Sequence, residues 1–173
     1  MLFENVNRRT FLSGVSAFGL AAIFDRAAYA QLSVSRDFLR NLSACWERFV
    51  AGTDEFQYAL VVAEEDGIEY MTSYVLETVV VKDIGHSYKI KRLKKNEPLT
   101  VRIREINDLS KPIISLTDTD LDGVVDHLFV EKAYGGAVLK TPIGLMEIPQ
   151  THRQYNQDQY ERGLRALTRK MNI

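Results

Sequence analysis

Four aspartates crowd into nine residues, Asp118-Thr119-Asp120-Leu121-Asp122-Gly123-Val124-Val125-Asp126, and this run limits local folding more than any other part of the chain. Neighbouring carboxylates repel by roughly 1 kcal/mol per pair at about 5 Å even in a water-like dielectric. The segment can therefore be a solvated acidic turn that binds nothing, or a loop that wraps a cation. A hard divalent cation reverses the repulsion, and calcium takes about six to eight oxygens from alternating positions of a tight loop. On that spacing Asp118, Asp120 and Asp122 offer their side chains at positions 1, 3 and 5. Val124 offers its carbonyl at position 7, and Asp126 its carboxylate, directly or through water, at position 9. Gly123 falls at position 6, where such a loop turns sharply.

The pattern D-x-D-x-D-G-x-x-D resembles the calcium loops of EF-hands, dockerins and integrin-type β-propeller repeats. An EF-hand has a bidentate glutamate at position 12, and here that position is Phe129. The flanks, Pro112 to Leu116 and Val124 to Val130, read as strands rather than helices, so the strand-flanked loops are the nearer likeness. Those loops come in tandem, whereas this chain has one copy; a dockerin needs two, so a cohesin partner is not implied. Leu121 departs from the small or polar residue common at position 4. Asp120 to Val125 also resembles the nucleophile motif of haloacid-dehalogenase-type phosphatases, in which the first aspartate attacks phosphorus beside Mg²⁺. Only 47 residues follow Asp126, too few for the Rossmann-like domain such enzymes need, and Asp118 and Asp126 have no part in that scheme.

The N-terminus reads Asn7-Arg8-Arg9-Thr10-Phe11-Leu12-Ser13, then an uncharged stretch to Phe24, then Ala28-Tyr29-Ala30. Basic, apolar and small-x-small parts in that order are those of a signal peptide, and the apolar part is too short and mild for a stable membrane span. The paired arginines before Phe11-Leu12 resemble the twin-arginine motif. That resemblance implies residues 1–30 as signal, transport by the twin-arginine translocase in a folded state, and a periplasmic or secreted domain starting at Gln31. Over residues 31–173 there are 19 basic and 21 acidic residues, without the basic excess of a nucleic-acid binder. The single cysteine, Cys45, cannot form a disulfide within the chain and reads as a small buried residue in a helix beside Trp46.

A length of 143 residues after the signal is enough for one domain with a true core. Phe38, Leu39, Leu42, Trp46, Phe49 and Val50 recur at helical spacing from Ser35 to Val50, with Ser35 as N-cap and Gly52 as stop. The middle is β-branched and aromatic. Glu55 to Ala63 and Ile68 to Val75 flank an Asp66-Gly67 turn, a hairpin signal, although the apolar run Ala59 to Ala63 also suits a helix. Val79 to Val81, Ser87 to Lys91 and Leu99 to Ile106 read as further strands. The basic run Lys89 to Lys95 reads as a solvated edge strand and turn, with a membrane or polyanion contact as the alternative. At the C-terminus Tyr160, Leu164, Leu167 and Met171 form one helical stripe, with an Asn156/Gln159 capping box and Gly163 weakening the helix. The fold expected is α+β: an antiparallel sheet flanked by an N-terminal and a C-terminal helix.

No nucleophile elbow, P-loop or C-x-x-C motif is present, and His86, His127 and His152 lack metal-ligand spacing. Glu64, Glu65, Asp66 and Glu69 offer a carboxylate pair of glycosidase type, but a solvated hairpin turn explains them more simply, and Gly135-Gly136 reads as a loop. The expectation is an exported calcium-binding domain with a binding or envelope role; an exported hydrolase with structural calcium is the alternative.

Overall fold

A computed structural model describes residues 34–134, 137–144 and 150–172. Residues 1–30, read as a signal, and Gly135-Gly136, read as a loop, lie outside the described residues. The chain enters through helix α1 (34–45), which tightens into a 3₁₀ turn, Trp46–Phe49. Eight strands follow: β1 (Val50–Gly52), β2 (Gln57–Glu65), β3 (Ile68–Asp83), β4 (His86–Leu93), β5 (Leu99–Glu105), β6 (Ile113–Asp118), β7 (His127–Tyr134) and β8 (Ala137–Gly144). Helix α2 (Gln150–Met171) closes the chain. The architecture is α+β, an antiparallel sheet with a helix at each end of its sequence, as the hydrophobic pattern indicates. No described helix is long and apolar enough to cross a membrane.

Seven strands run in the order β1-β2-β3-β5-β6-β7-β8, and β4 pairs with β3 off this path. β3 is long enough to serve two partners. Its first half pairs with β2 and with β5, and its second half pairs with β4 from Leu76 to Asp83. The stretches read separately as Ile68 to Val75 and Val79 to Val81 are thus one continuous strand. The Asp66-Gly67 turn joins β2 to β3 as expected, and the arm preceding it is a strand rather than a helix.

The core lies on one face of the sheet. Alternate residues Ala59, Val61 and Ala63 of β2, Tyr70 and Tyr74 of β3, and Leu99, Val101 and Ile103 of β5 are buried together, the period-two pattern of a strand covered on one side. Against them pack Phe38 and Leu42 of α1 and the stripe Tyr160, Leu164, Leu167 and Met171 of α2. On the opposite face, the ion pair Arg104–Glu69 links the adjacent strands β5 and β3, and Arg102–Glu131 reaches from β5 across β6 to β7, each at 2.8 Å.

Three local expectations are corrected. Ser35 lies inside α1, and its hydroxyl bonds Asp118 rather than capping the helix. Gly52 ends β1, not a helix; it sits in the turn to β2, where a Cβ would meet the Phe56 carbonyl oxygen at 2.2 Å. Helix α2 begins at Gln150, six residues before the Asn156/Gln159 pair, so Asn156 is a buried interior residue and not a cap. Gly163 has a reason that helix propensity does not reveal. A Cβ there would stand 2.7 Å from Val101 Cγ1 and 2.8 Å from Tyr70 Cδ1, so glycine lets α2 approach the sheet closely.

That packing reverses the usual ranking of glycine and alanine in a helix. Gly163→Ala is expected to lower stability by about 1–3 kcal/mol through overpacking, although alanine is the better helix former. Urea unfolding checks it. Tyr70→Phe is the companion: its buried hydroxyl has no hydrogen-bond partner among the described residues, so removing it is expected to leave stability unchanged or raise it by about 1 kcal/mol.

Candidate metal centre

Asp118 is the last residue of β6 and pairs with Leu99 at the start of β5. The chain leaves the sheet there and returns at His127, the first residue of β7, with the Asp126 amide bonded to the Thr117 carbonyl at 2.9 Å. The acidic run is therefore the loop of a β6–β7 hairpin. The strand expected from Val124 starts three residues later, since Val124 to Asp126 belong to the loop.

Within the loop each aspartate carboxylate accepts a backbone amide. Asp118 Oδ1 accepts from Asp122 at 3.2 Å and its Oδ2 from Gly123 at 2.8 Å. Asp120 Oδ1 accepts from Asp122 at 3.2 Å, Asp122 Oδ1 from Val124 at 2.7 Å, and Asp126 Oδ2 from Thr119 at 2.7 Å. Gly123 takes a φ of 93° at the sharp turn, which glycine adopts without steric cost. Leu121 also has a positive φ, 62°, and its half-buried side chain packs against the core. The residue that departs from the usual pattern at position 4 thus anchors the loop by burial.

Asp118 is fully buried. Besides the two loop amides, Ser35 Oγ donates to it at 3.0 Å and the Tyr160 hydroxyl at 3.5 Å. Among the described residues no lysine or arginine pairs with it. Burial pushes its carboxyl above the ordinary carboxylate range, against the opposing pull of the Gly123 amide and the Ser35 hydroxyl. The same desolvation pushes the Tyr160 phenol well above its usual range, so it stays a protonated donor.

One carboxylate oxygen each of Asp118, Asp120 and Asp126 lies within 4.8 Å of the others. Their burial falls from Asp118, through half-buried Asp126, to exposed Asp120, leaving the cluster open on its solvent side. Three hard oxygen donors at that spacing can hold a metal ion. Of the five ligands expected, the structure gathers these three side chains. The Asp122 carboxylate is turned to the Val124 amide instead and stands outside the cluster.

The residues that hold the loop were not legible as such. Gln157 of α2 is buried; its Oε1 accepts from the Val125 amide at 3.0 Å, and its Nε2 donates to the Gly123 carbonyl at 2.8 Å. One side chain thus satisfies two backbone groups of the loop. The available signal was its place three residues before Tyr160, which puts a polar amide at the head of an apolar stripe.

The other candidates do not converge. His86 lies at the tip of the β3–β4 hairpin, His127 starts β7 with its ring 6.5 Å from that of Phe129, and His152 is exposed on α2. In the hairpin carboxylate group, Glu65, Asp66 and Glu69 pair with Arg169, Arg162 and Arg104. Cys45 is half-buried and donates to the Asn41 carbonyl at 3.1 Å.

Comparison of the chain with family models, curated proteins and solved structures finds no match. The site therefore rests on its own geometry, which makes a direct prediction. Gln157→Leu strands the Val125 amide and the Gly123 carbonyl in a buried setting and is expected to cost about 2–4 kcal/mol. Hydrogen exchange should locate the loss, with the Val125 amide becoming fast while the β2–β3 ladder stays protected.

Proposed function

We propose that this chain is an exported calcium-binding domain, passed out through the twin-arginine translocase and working in the periplasm or outside the cell. In this reading the ion holds the β6–β7 loop, and the domain serves binding or envelope structure rather than catalysis. The observation that carries it is the carboxylate cluster of Asp118, Asp120 and Asp126, in which the innermost member is buried without a cationic partner among the described residues. A buried carboxylate is costly unless it is paired, and a divalent ion supplies the missing charge. Oxygen-only donors favour calcium over softer metals. Asp122 and Val124 complete the shell by rotating one carboxylate and offering one carbonyl from residues already in the loop. An affinity of about 10⁻⁴–10⁻³ M, that of extracellular modules, suits a loop with one exposed side.

The test is a thermal melt of protein starting at Gln31, in chelator and then in millimolar calcium. With a Kd of about 10⁻⁴ M, 1 mM calcium stabilises by about 1.4 kcal/mol, a rise of about 3–6 °C for a domain of this size. The rise should vanish in an Asp120→Ala/Asp122→Ala variant. No shift together with no heat of binding in calorimetry would leave the loop as a solvated acidic turn. Intact mass of the protein recovered from the envelope tests export separately, with Gln31 as the expected first residue.

A further inference from the structure

The hairpin of β3 and β4 stands clear of the body. β2 follows β3 only as far as Val75, so the stretch from Leu76 to Asp83 pairs with β4. Every residue from Lys82 to Lys91 is exposed. The register sorts the side chains onto two faces. Val79, Val81, Tyr88 and Ile90 share one, framed by the Arg92–Glu77 ion pair at 2.8 Å. Val80, Lys82, Lys89 and Lys91 share the other.

Ile84 and Gly85 form the apex, with φ of 29° and 83°. A two-residue turn with both φ positive favours Asn, Asp or Gly at its first position, and a β-branched residue is strained there. Among the described residues three other non-glycine residues have positive φ: Asp66, Asn96 and Leu121. The first two are types that tolerate it, and Leu121 gains burial against the core. Ile84 is 96% exposed. It is strained without the compensation of burial, so the fold alone gives no reason for an isoleucine at this apex.

Asp83 and His86 flank the apex directly, and behind them the arm is cationic. From Leu76 to Glu97 there are six Lys and Arg against three Asp and Glu, on a chain whose net charge is −1. Tyr88 and Val80 are about half exposed beside Lys89 and Lys82.

We propose that this arm docks on an anionic phospholipid surface, apex first. Ile84 enters the boundary between headgroups and acyl chains, at a depth of about 5–10 Å for interfacial elements. With a strand rise of about 3.3 Å per residue, Lys82, two residues behind, then lies at the headgroups, with Lys89 above it. Tyr88 places an apolar ring with a polar tip at the interface. A polyanion such as nucleic acid would use the lysines but gain nothing from the bare isoleucine. The combination of apolar apex and cationic shoulders fits a charged bilayer. This reading does not rest on calcium.

Cosedimentation of protein starting at Gln31 with vesicles, in chelator, tests it. Mixed phosphatidylcholine–phosphatidylglycerol vesicles should bind at least about tenfold more tightly than pure phosphatidylcholine, less so as salt is raised. Lys82→Gln and Lys89→Gln should each weaken binding about fivefold. Ile84→Asn should weaken binding about tenfold or more while keeping or raising the melting temperature, because asparagine suits the turn. Equal binding to both vesicles would overturn the proposal. So would binding that survives Ile84→Asn combined with both lysine substitutions, or an arm that joins two copies in sedimentation velocity while vesicles bind nothing.

Discussion

The buried carboxylate of Asp118 receives hydrogen bonds from four donors in three parts of the fold. Gly123 and Asp122 reach it from the loop, Ser35 from α1 and Tyr160 from α2. An unpaired carboxylate in the interior costs several kcal/mol, so this group is acceptable only when sheet, loop and both helices are assembled together. Four donors reduce the cost without removing it, since burial still drives the carboxyl above its ordinary range. The fold thus concentrates negative potential at the inner wall of the loop. A cation held there would be coupled to tertiary assembly through one side chain, because it would relieve the charge that the two helices already work to stabilise.

That arrangement depends in turn on how deeply α2 sits. Gln157, Tyr160 and Gly163 fall at three-residue intervals on one helical face, spanning about 9 Å of axis. At one end Gly163 presses against Val101 and Tyr70 with no room for a methyl group. At the other, Gln157 grips the backbone at Gly123 and Val125. The closeness permitted at Gly163 sets the distance at which Gln157 can serve the loop. A larger residue there would lift the helix and lengthen those bonds, so a packing residue and a loop-holding residue share one constraint.

Much of the fold was readable from local signals. Period-two alternation marked β5, Asp66-Gly67 marked the β2–β3 turn, and the stripe from Tyr160 to Met171 marked the buried face of α2. Each depends on residues close in sequence. What escaped depends on tertiary partners. Ser35 looks like a cap because serine suits caps, yet its partner lies 83 residues away. Asn156 and Gln159 have the composition of a capping box but occur within a helix that starts at Gln150. The continuity of β3 was hidden because its two halves face different environments, one beneath α2 and one in solvent. The acidic loop was legible as a loop, and three of its carboxylates do gather, but nothing local indicated that Asp122 turns to its own backbone.

The register also places the two charged features at one end of the sheet. β5 begins at Leu99, which pairs with Asp118 on one side. On the other side β5 pairs with the first half of β3, and the Tyr74 hydroxyl donates to the Glu97 carbonyl just ahead of β5. Two residues beyond Tyr74, at Leu76, the arm begins. An acidic loop and the base of a cationic arm therefore flank the start of β5. They also break local rules in different ways. The strain at Asp118 is absorbed inside the molecule, by four donors and two helices. The strain at Ile84 is absorbed by nothing in the fold, and its compensation has to come from outside.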